Sequence, residues 1–350
     1  MEGSSLMSCR AVQCSRENYR AFIESAIADS RFFHSVTWLE FLERAFPVEL
    51  ETWQILDATE TTIAAVPLMK VRKGPVALYG SPLRGFFTDH AGPAFAKHLG
   101  PDDRLEVFRA AERLATRLDS VYAEWGLSPG EADKTAGFSD LMTARGYEAS
   151  QHTTSLVDLE QPADDIWGRF EGRARNMIRK AEKAGVEVAP YDGDATLVDL
   201  YFNILNEIFQ RSGTSSPHPK TFFQAFAEMS LKDSRFVFLV ARAEGSFVGG
   251  TMFLEVDDRM IYLSGVTTLE GRKLAPNSLL IWHAMKVACS RGMRVFDLGG
   301  TGNSSIDKFK ASFGGADHIF FRFVRMPWLV RRSRSVILWA ISRGFLKVNR

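Results

Sequence analysis

Apolar residues recur at helical spacing through DDIWGRFEGRARNMIRKAEKAG, where Ile166, Trp167, Phe170, Ala174, Met177, Ile178 and Ala181 fall on one face and Gly185 closes the run. The spacing predicts one long helix, then a short strand from Val186 to Ala189. Two more amphipathic helices are predicted, ATLVDLYFNILNEIFQRSG and PKTFFQAFAEMS, the second opened by Pro219 where a proline is tolerated. The pattern then shortens to strands over Arg235–Arg242, Phe247–Val256 and Met260–Val266, with turns at Ala243–Ser246 and Asp257-Asp258. Gly249-Gly250 marks a bulge or a close backbone approach. Pro276 opens the helix NSLLIWHAMKVACSRG, and RVFDL returns as a strand. A meander, a crossover helix and a fourth strand make a mixed sheet with a right-handed crossover.

The first half repeats that order of elements at low sequence identity. Strands are predicted over Leu50–Asp57, Thr62–Val71 and Val76–Tyr79, a helix from about Asp103 to Leu118, and a strand in SVYAEW. The expected fold class is therefore α/β with a mixed sheet in two similar domains, spanning residues 1–155 and 156–325, followed by a basic amphipathic helix over 326–350.

Composition narrows the partners. The 350 residues are 45% hydrophobic and 24% charged, as in an ordinary globular protein, and the net charge of +1 means that any basic patch is local. Cys9, Cys14 and Cys289 form no CxxC and no paired spacing, which argues against a disulfide scaffold or structural zinc and fits a reducing cytoplasm. The opening MEGSSLMSCR lacks the apolar stretch of a signal peptide, and no run of about 18 apolar residues is present to span a bilayer. From His318 to Arg350 no residue is acidic, while Arg322, Arg325, Arg331, Arg332, Arg334, Arg343, Lys347 and Arg350 are basic. Trp328, Trp339 and several aliphatic residues are interleaved with them. This tail either packs on the body with solvated arginines or lies on an anionic surface, membrane or nucleic acid.

The chemistry concentrates in VFDLGGTGNSSIDKFKASFGG, Val295 to Gly315, where a strand meets two glycines and Lys310 is set between Phe309 and Phe313. A water-shielded ammonium stabilises a developing oxyanion, or neutralises a phosphate as a point charge; a lysine lying over an aromatic surface would look the same. Asp297 either bonds the amides of the glycine loop or acts as general base, with Asp307 a weaker candidate. On the basic helix Arg175, Arg179 and Lys183 share a face, either a phosphate-binding ridge or a solvated surface. The loop TTLEGRKLAPNS before the crossover helix has one glycine, Gly271, with Arg272 and Lys273. No metal-ligand spacing, Gly-x-Ser-x-Gly stretch or Walker-type loop is present.

Together the basic helix RARNMIRKAEKAGVEV, SPHPKTFFQAF, APNSLLIWHAMKVACSRG, FDLGG…FKASFG and the early HSVTWLEFL make the chain resemble the FemABX family, whose members carry two GNAT-like (acyl-CoA N-acyltransferase-like) domains. The likeness is strongest from about Trp167 to Phe321. It implies transfer of an acyl or aminoacyl group to an amine of a cell-envelope or polysaccharide-pathway substrate, with aminoacyl-tRNA or acyl-CoA as donor and no permanently bound cofactor or metal. The family's Phe-Lys pair falls on Phe309 and Lys310. Its N-terminal tryptophan falls on Trp38, and a lysine four residues on is replaced by Leu42. Its Arg-Pro-x-x-Tyr stretch becomes His218, Pro219 and Phe222, and its substrate tyrosine falls on Ser264. Tyr262 and Asn277 complete the expected substrate contacts, and Arg272 and Lys273 the donor contacts. The changed positions imply an acceptor other than a nucleotide-linked muropeptide. The single glycine of the crossover loop, against the Q/R-x-x-G-x-G/A usual in GNAT enzymes that use acyl-CoA, counts against ordinary CoA binding and favours aminoacyl-tRNA or another bulky donor.

Three expectations stand beside one another: an acyl- or aminoacyltransferase, a CoA-dependent N-acetyltransferase of a small amine or amino sugar, and a catalytically silent protein binding membrane or nucleic acid through its tail. The expected location is the cytoplasm, with peripheral contact at the inner membrane face through the tail.

Overall fold

A computed structural model describes residues 8–26, 32–73, 76–118, 122–127, 137–211, 213, 216–300 and 304–326. The chain runs β1 (Arg10–Gln13), α1 (Arg16–Ala26), α2 (Val36–Ala45), β2 (Glu49–Leu56), β3 (Thr62–Lys73), β4 (Val76–Ser81), β5 (Ala94–Phe95), α3 (Pro101–Arg117), β6 (Tyr122–Gly126), α4 (Phe138–Ala144) and β7 (Glu148–Asp158). It continues with α5 (Ala163–Arg169), α6 (Gly172–Lys183), β8 (Glu187–Pro190), α7 (Ala195–Arg211), α8 (Lys220–Ser230), β9 (Phe236–Ala243), β10 (Ser246–Val256), β11 (Arg259–Thr267), α9 (Pro276–Ser290), β12 (Val295–Gly300), α10 (Ser304–Ala311) and β13 (Ala316–Arg325).

Among the described residues two compact units result, one running to Gln151 and joined by the end of β13 from Phe321, the other His152–Phe320. Unit 1 holds the antiparallel meander β2–β3–β4, then β6 parallel to β4 after the α3 crossover. Unit 2 repeats this with β9–β10–β11 and, after α9, β12 parallel to β11. The units differ from the expected 1–155 and 156–325 at the last strand. The end of β13 pairs antiparallel with β6 of unit 1, Arg322 opposite Gly126 and Phe323 opposite Trp125. Unit 2 instead takes β7, which pairs antiparallel with β12. Each unit is thus finished by a strand from outside its own repeat.

Arg322 and Arg325, read from sequence as part of a cationic tail, are engaged in unit 1. Arg322 is buried and donates to Glu124 at 3.0 Å and to the carbonyls of Thr88 and Asp89. Arg325 donates to Glu112 at 2.6 Å. An arginine can be buried only with such partners, because each unpaired buried charge costs several kcal/mol, roughly. Residues 327–350, where the amphipathic helix was expected, lie outside the described residues.

The helix predicted over the 164–185 region is two helices. Phe170 and Glu171 are extended, with ψ of 141° and 154°. The break lets Phe170 turn into the core of unit 2, edge-on to Phe313 at 5.3 Å, and lets the Glu171 amide donate to the Ser312 carbonyl at 2.8 Å. Tertiary packing wins over the local helical period. Around these rings the core gathers Ile178, Phe253, Leu280, Met285 and Phe296.

Gly249 is both kinds of position at once. The β9–β10 register shifts between Phe247 and Gly249, and a Cβ there would lie 2.9 Å from the Val266 oxygen and 3.2 Å from the Pro276 ring. Its missing side chain seats the start of α9 against the sheet.

Candidate active site

Strands β11 and β12 pair only at Arg259–Val295, Met260–Phe296 and Ile261–Asp297. Beyond that point β11 continues to Thr267 without pairing to β12, so the two parallel strands open into a wedge. Two irregularities shape it. The β10–β11 register skips Leu263, and β12 carries one extra residue against β7, Asp297 facing Leu156 and then Gly300 facing Thr154. Backbone groups released by such bulges are free to face a ligand or a side chain.

Lys310 stands beside the Gly299–Gly300 turn of β12. It lies on α10, is 8% exposed, and its Nζ donates to the Gly300 carbonyl. Burial holds its pKa below an ordinary lysine's, and the carboxylates of Asp297 and Asp307 pull it back upward. An ammonium has three N–H donors, so the bond to Gly300 leaves two. Phe309 is half-buried, packs edge-on against Phe313 at 5.2 Å, and lines a cleft of about 260 Å³. Arg173, Met177, Arg272, Asn277 and Ser312 also line it.

The cleft is closed at one end by the start of α9. Ala275 is in the left-handed conformation, φ 56°, with Pro276 at the first helical position, and the first turn, Pro276 to Ser278, lines the cleft. A helix N-terminus beside Arg272 and Arg173 favours negative charge. The turn leading there is fixed by Gly271. A Cβ at that position would overlap the Val248 carbonyl oxygen, and the Gly271 amide donates to Thr268 Oγ1 at 2.9 Å. The single glycine of the loop is thus used for packing against β10.

Asn277 accepts a hydrogen bond from Thr251 at 3.3 Å and shares another with the Tyr262 hydroxyl. Burial pushes Tyr262 up to about 12, so it is a neutral donor near neutral pH. Gly265 makes room for it, since any Cβ there would overlap the phenol oxygen. Asp297 is 1% exposed. Its Oδ1 accepts from Thr154 Oγ1 and from the Gly299 amide at 2.8 Å, and its Oδ2 faces Arg259 at 3.5 Å.

Phe309, Asn277 and Arg272 thus line the cleft, with Tyr262 bonded to Asn277, while Asp297 and Lys310 meet at the Gly299–Gly300 turn of β12; Lys273 is exposed beside Arg272 in the same turn. Other expected contacts lie elsewhere or face away. Trp38 is fully buried in unit 1, stacked on Phe41 at 5.0 Å and donating to Thr88 at 3.1 Å, so it is core. Phe222 is fully buried against Phe223 and Phe226. The Ser264 hydroxyl accepts from Tyr201 of α7 at 2.9 Å. Burial pulls His218 down to about 4, leaving a neutral imidazole at physiological pH that offers no positive charge to a diphosphate. On α6, Arg175 donates to the Gly168 carbonyl and Arg179 covers the Trp167 ring. The flank of α6 that meets the cleft carries Arg173 and Met177 instead. Their i, i+4 spacing beside the buried face of Ala174, Ile178 and Ala181 was the available sequence signal.

Among the described residues no group of His, Cys, Asp or Glu side chains is arranged to hold a metal ion, and no helix is long and apolar enough to cross a membrane.

Residues 168–311 match the family model described as an acetyltransferase (GNAT) domain. The chain is 21% identical to a lipid II:glycine glycyltransferase of Staphylococcus haemolyticus (strain JCSC1435), over 66% of this chain and 70% of that protein. Its fold is similar to that of crystalline FemX, with a TM-score of 0.67 at 14% identity, covering 91% of this chain and 97% of the other. A tandem GNAT protein from the clavulanic acid biosynthesis pathway aligns with a TM-score of 0.55 at 13% identity, covering 91% and 98%. The expectation of a mixed α/β fold in two GNAT-like units holds.

Proposed function

We propose that this chain, a FemABX-like protein with a GNAT acyltransferase domain, transfers an acyl or aminoacyl group to an amine of a cell-envelope precursor. The acceptor nitrogen attacks the donor carbonyl, the new C–N bond forms, and the thiolate or ribose oxygen of the donor departs while the amine loses a proton. The intermediate carries negative charge on oxygen. Lys310 carries the reading: a buried cation with two N–H groups beyond its bond to Gly300, beside the bulged turn of β12. One such donor lowers the barrier by roughly 3–4 kcal/mol. Tyr262 and Asn277 form the polar edge of the acceptor side, and Arg173, Arg272 and the amides of α9 that of the donor phosphates.

The donor best supported is aminoacyl-tRNA or another bulky one. Gly271 is committed to packing, which leaves the crossover turn without a glycine for the close backbone approach that a pyrophosphate loop needs. Acetyl-CoA is the second reading, favoured by the α9 N-terminus with Arg272 at the cleft. Leu42, where the family places a lysine, is fully buried, which supports an acceptor lacking a nucleotide diphosphate. The cationic segment 327–350 would bring the protein to the inner membrane face, where envelope precursors are lipid-linked.

The test is mass spectrometry of envelope and polysaccharide precursors incubated with donor and either the native chain or Lys310→Ala. One acyl- or aminoacyl-sized mass increment is expected with the native chain alone, and equal increments with both overturn the reading. Calorimetric titration with acetyl-CoA separates the donors, tight binding favouring the second.

A further inference from the structure

Asp297 is too enclosed to reach a substrate amine. Its side chain is 2% exposed, and both carboxylate oxygens are engaged, Oδ1 by Thr154 and the Gly299 amide, Oδ2 by Arg259. What it holds is the extra residue of β12. From Asp297 to Gly300 the strand advances three residues while β7 advances two, and the slack is taken up at Gly299, whose φ is +83°. That conformation is open to glycine at little cost. A Cβ there would stand 3.6 Å from Lys310 Nζ and 3.5 Å from the Tyr262 carbonyl oxygen, so the turn and the ammonium are in direct register. The next carbonyl, that of Gly300, is the one that Lys310 donates to.

We infer that Asp297 is a positioning residue: by clamping the bulge of β12 it aims the Gly300 carbonyl at Lys310 and fixes where the ammonium stands beside the turn. The inference rests on the reading of Lys310 as the oxyanion-stabilising group. The chain of contacts is short and complete. Thr154 on β7 orients the carboxylate, the carboxylate takes the Gly299 amide, the turn presents the Gly300 oxygen, and that oxygen receives Nζ. The carboxylate also adds a negative charge near the ammonium, tempered by Arg259 on β11. The other charged group that acts on the ammonium is Asp307 on α10; Tyr262 of β11 brings its carbonyl oxygen near Gly299, and Arg173 on α6 lines the cleft with Phe309.

The experiment compares the full chain with Asp297→Asn and Asp307→Asn. It measures the rate at which an amine-specific acylating reagent labels Lys310 across pH, by mass spectrometry, beside the kcat and KM of transfer. In Asp297→Asn the neutral amide accepts more weakly from Thr154 and the Gly299 amide, and its NH2 replaces an oxygen that accepted one of the clamp's contacts, so the hold on the bulge loosens as the charge is lost. This variant is expected to move the Lys310 labelling midpoint to lower pH and to lower kcat at least tenfold, on the order seen when a preorganised donor is misplaced, with KM within about twofold. Asp307→Asn should change kcat by less. An unaltered labelling midpoint overturns the inference. So does a lost kcat with unaltered Lys310 labelling, since Asp297 would then act on the substrate itself. Should Asp297→Asn not fold, Thr154→Val removes one donor and keeps the carboxylate; faster labelling of Lys310 with lower kcat supports the inference, and native-like labelling opposes it. Full transfer by Lys310→Ala would refute the role of Lys310 separately, whatever the labelling shows.

Discussion

At the scale of the residue, the site depends on an ammonium kept where water would ordinarily solvate it. Desolvation disfavours the charged form, and the carboxylates of Asp297 and Asp307 offset part of that cost. The consequence is a pH dependence with a definite sign. In the proposed role Lys310 acts when protonated, so transfer is expected to fall as pH rises through its folded pKa, which lies below the ordinary lysine value of 10.5. A plot of kcat against pH for the native chain should therefore bend downward before pH 10.5. A rate that keeps climbing past that value contradicts the assignment. Sequence singled out Lys310, which the structure buries with its Nζ on the Gly300 carbonyl. It misread Trp38 and Phe222, since a core ring and a ligand-facing ring carry the same side chain and differ only in what surrounds them.

At the scale of the element, two glycines set the approach of α9 to the sheet. Gly249 admits Pro276, and Gly271 lets the preceding turn lie on the Val248 carbonyl. Gly271→Ala must push that turn off β10 and displace Arg272 with it. Overpacking of this kind costs roughly 1–3 kcal/mol. The expected outcome is a lower thermal midpoint and a donor KM raised several-fold with kcat nearly kept; a native donor KM would show that the turn does not line the donor site. The strands of unit 2 and α9 were legible because their periods and turns are local. The interruption at Phe170–Glu171 was not: nothing in the helical period shows that the Glu171 amide finds the Ser312 carbonyl, 141 residues along the chain. The same holds for Arg173, which only the packing of α6 turns toward the cleft in place of Arg175 and Arg179.

At the scale of the whole molecule, the repeat of element order was readable and the exchange of final strands was not, because strand pairing is a non-local choice. The exchange makes unit 1 depend on the far end of the chain. Arg322 of β13 is paired with Glu124, both buried, so removing the arginine leaves a buried carboxylate with one fewer partner. Breaking a buried pair in this way costs about 3–5 kcal/mol. Arg322→Ala should lower the denaturant midpoint accordingly, and a chain ended after Gly315 should lose the protease resistance of unit 1. Unchanged stability in both would mean that β13 is dispensable there. The two-unit fold, similar to that of FemX, then has its candidate site in unit 2 and its last strand paired in unit 1.

The central claim is that a buried Lys310 ammonium stabilises the charge that develops during acyl transfer. Its most direct test is the single-turnover rate of transfer to the acceptor identified by mass spectrometry, native chain against Lys310→Ala, with circular dichroism to verify that both are folded. The rate is expected to fall roughly 10²–10³-fold in the variant, the loss typical of one oxyanion donor. A folded Lys310→Ala protein that transfers at the native rate would contradict the account.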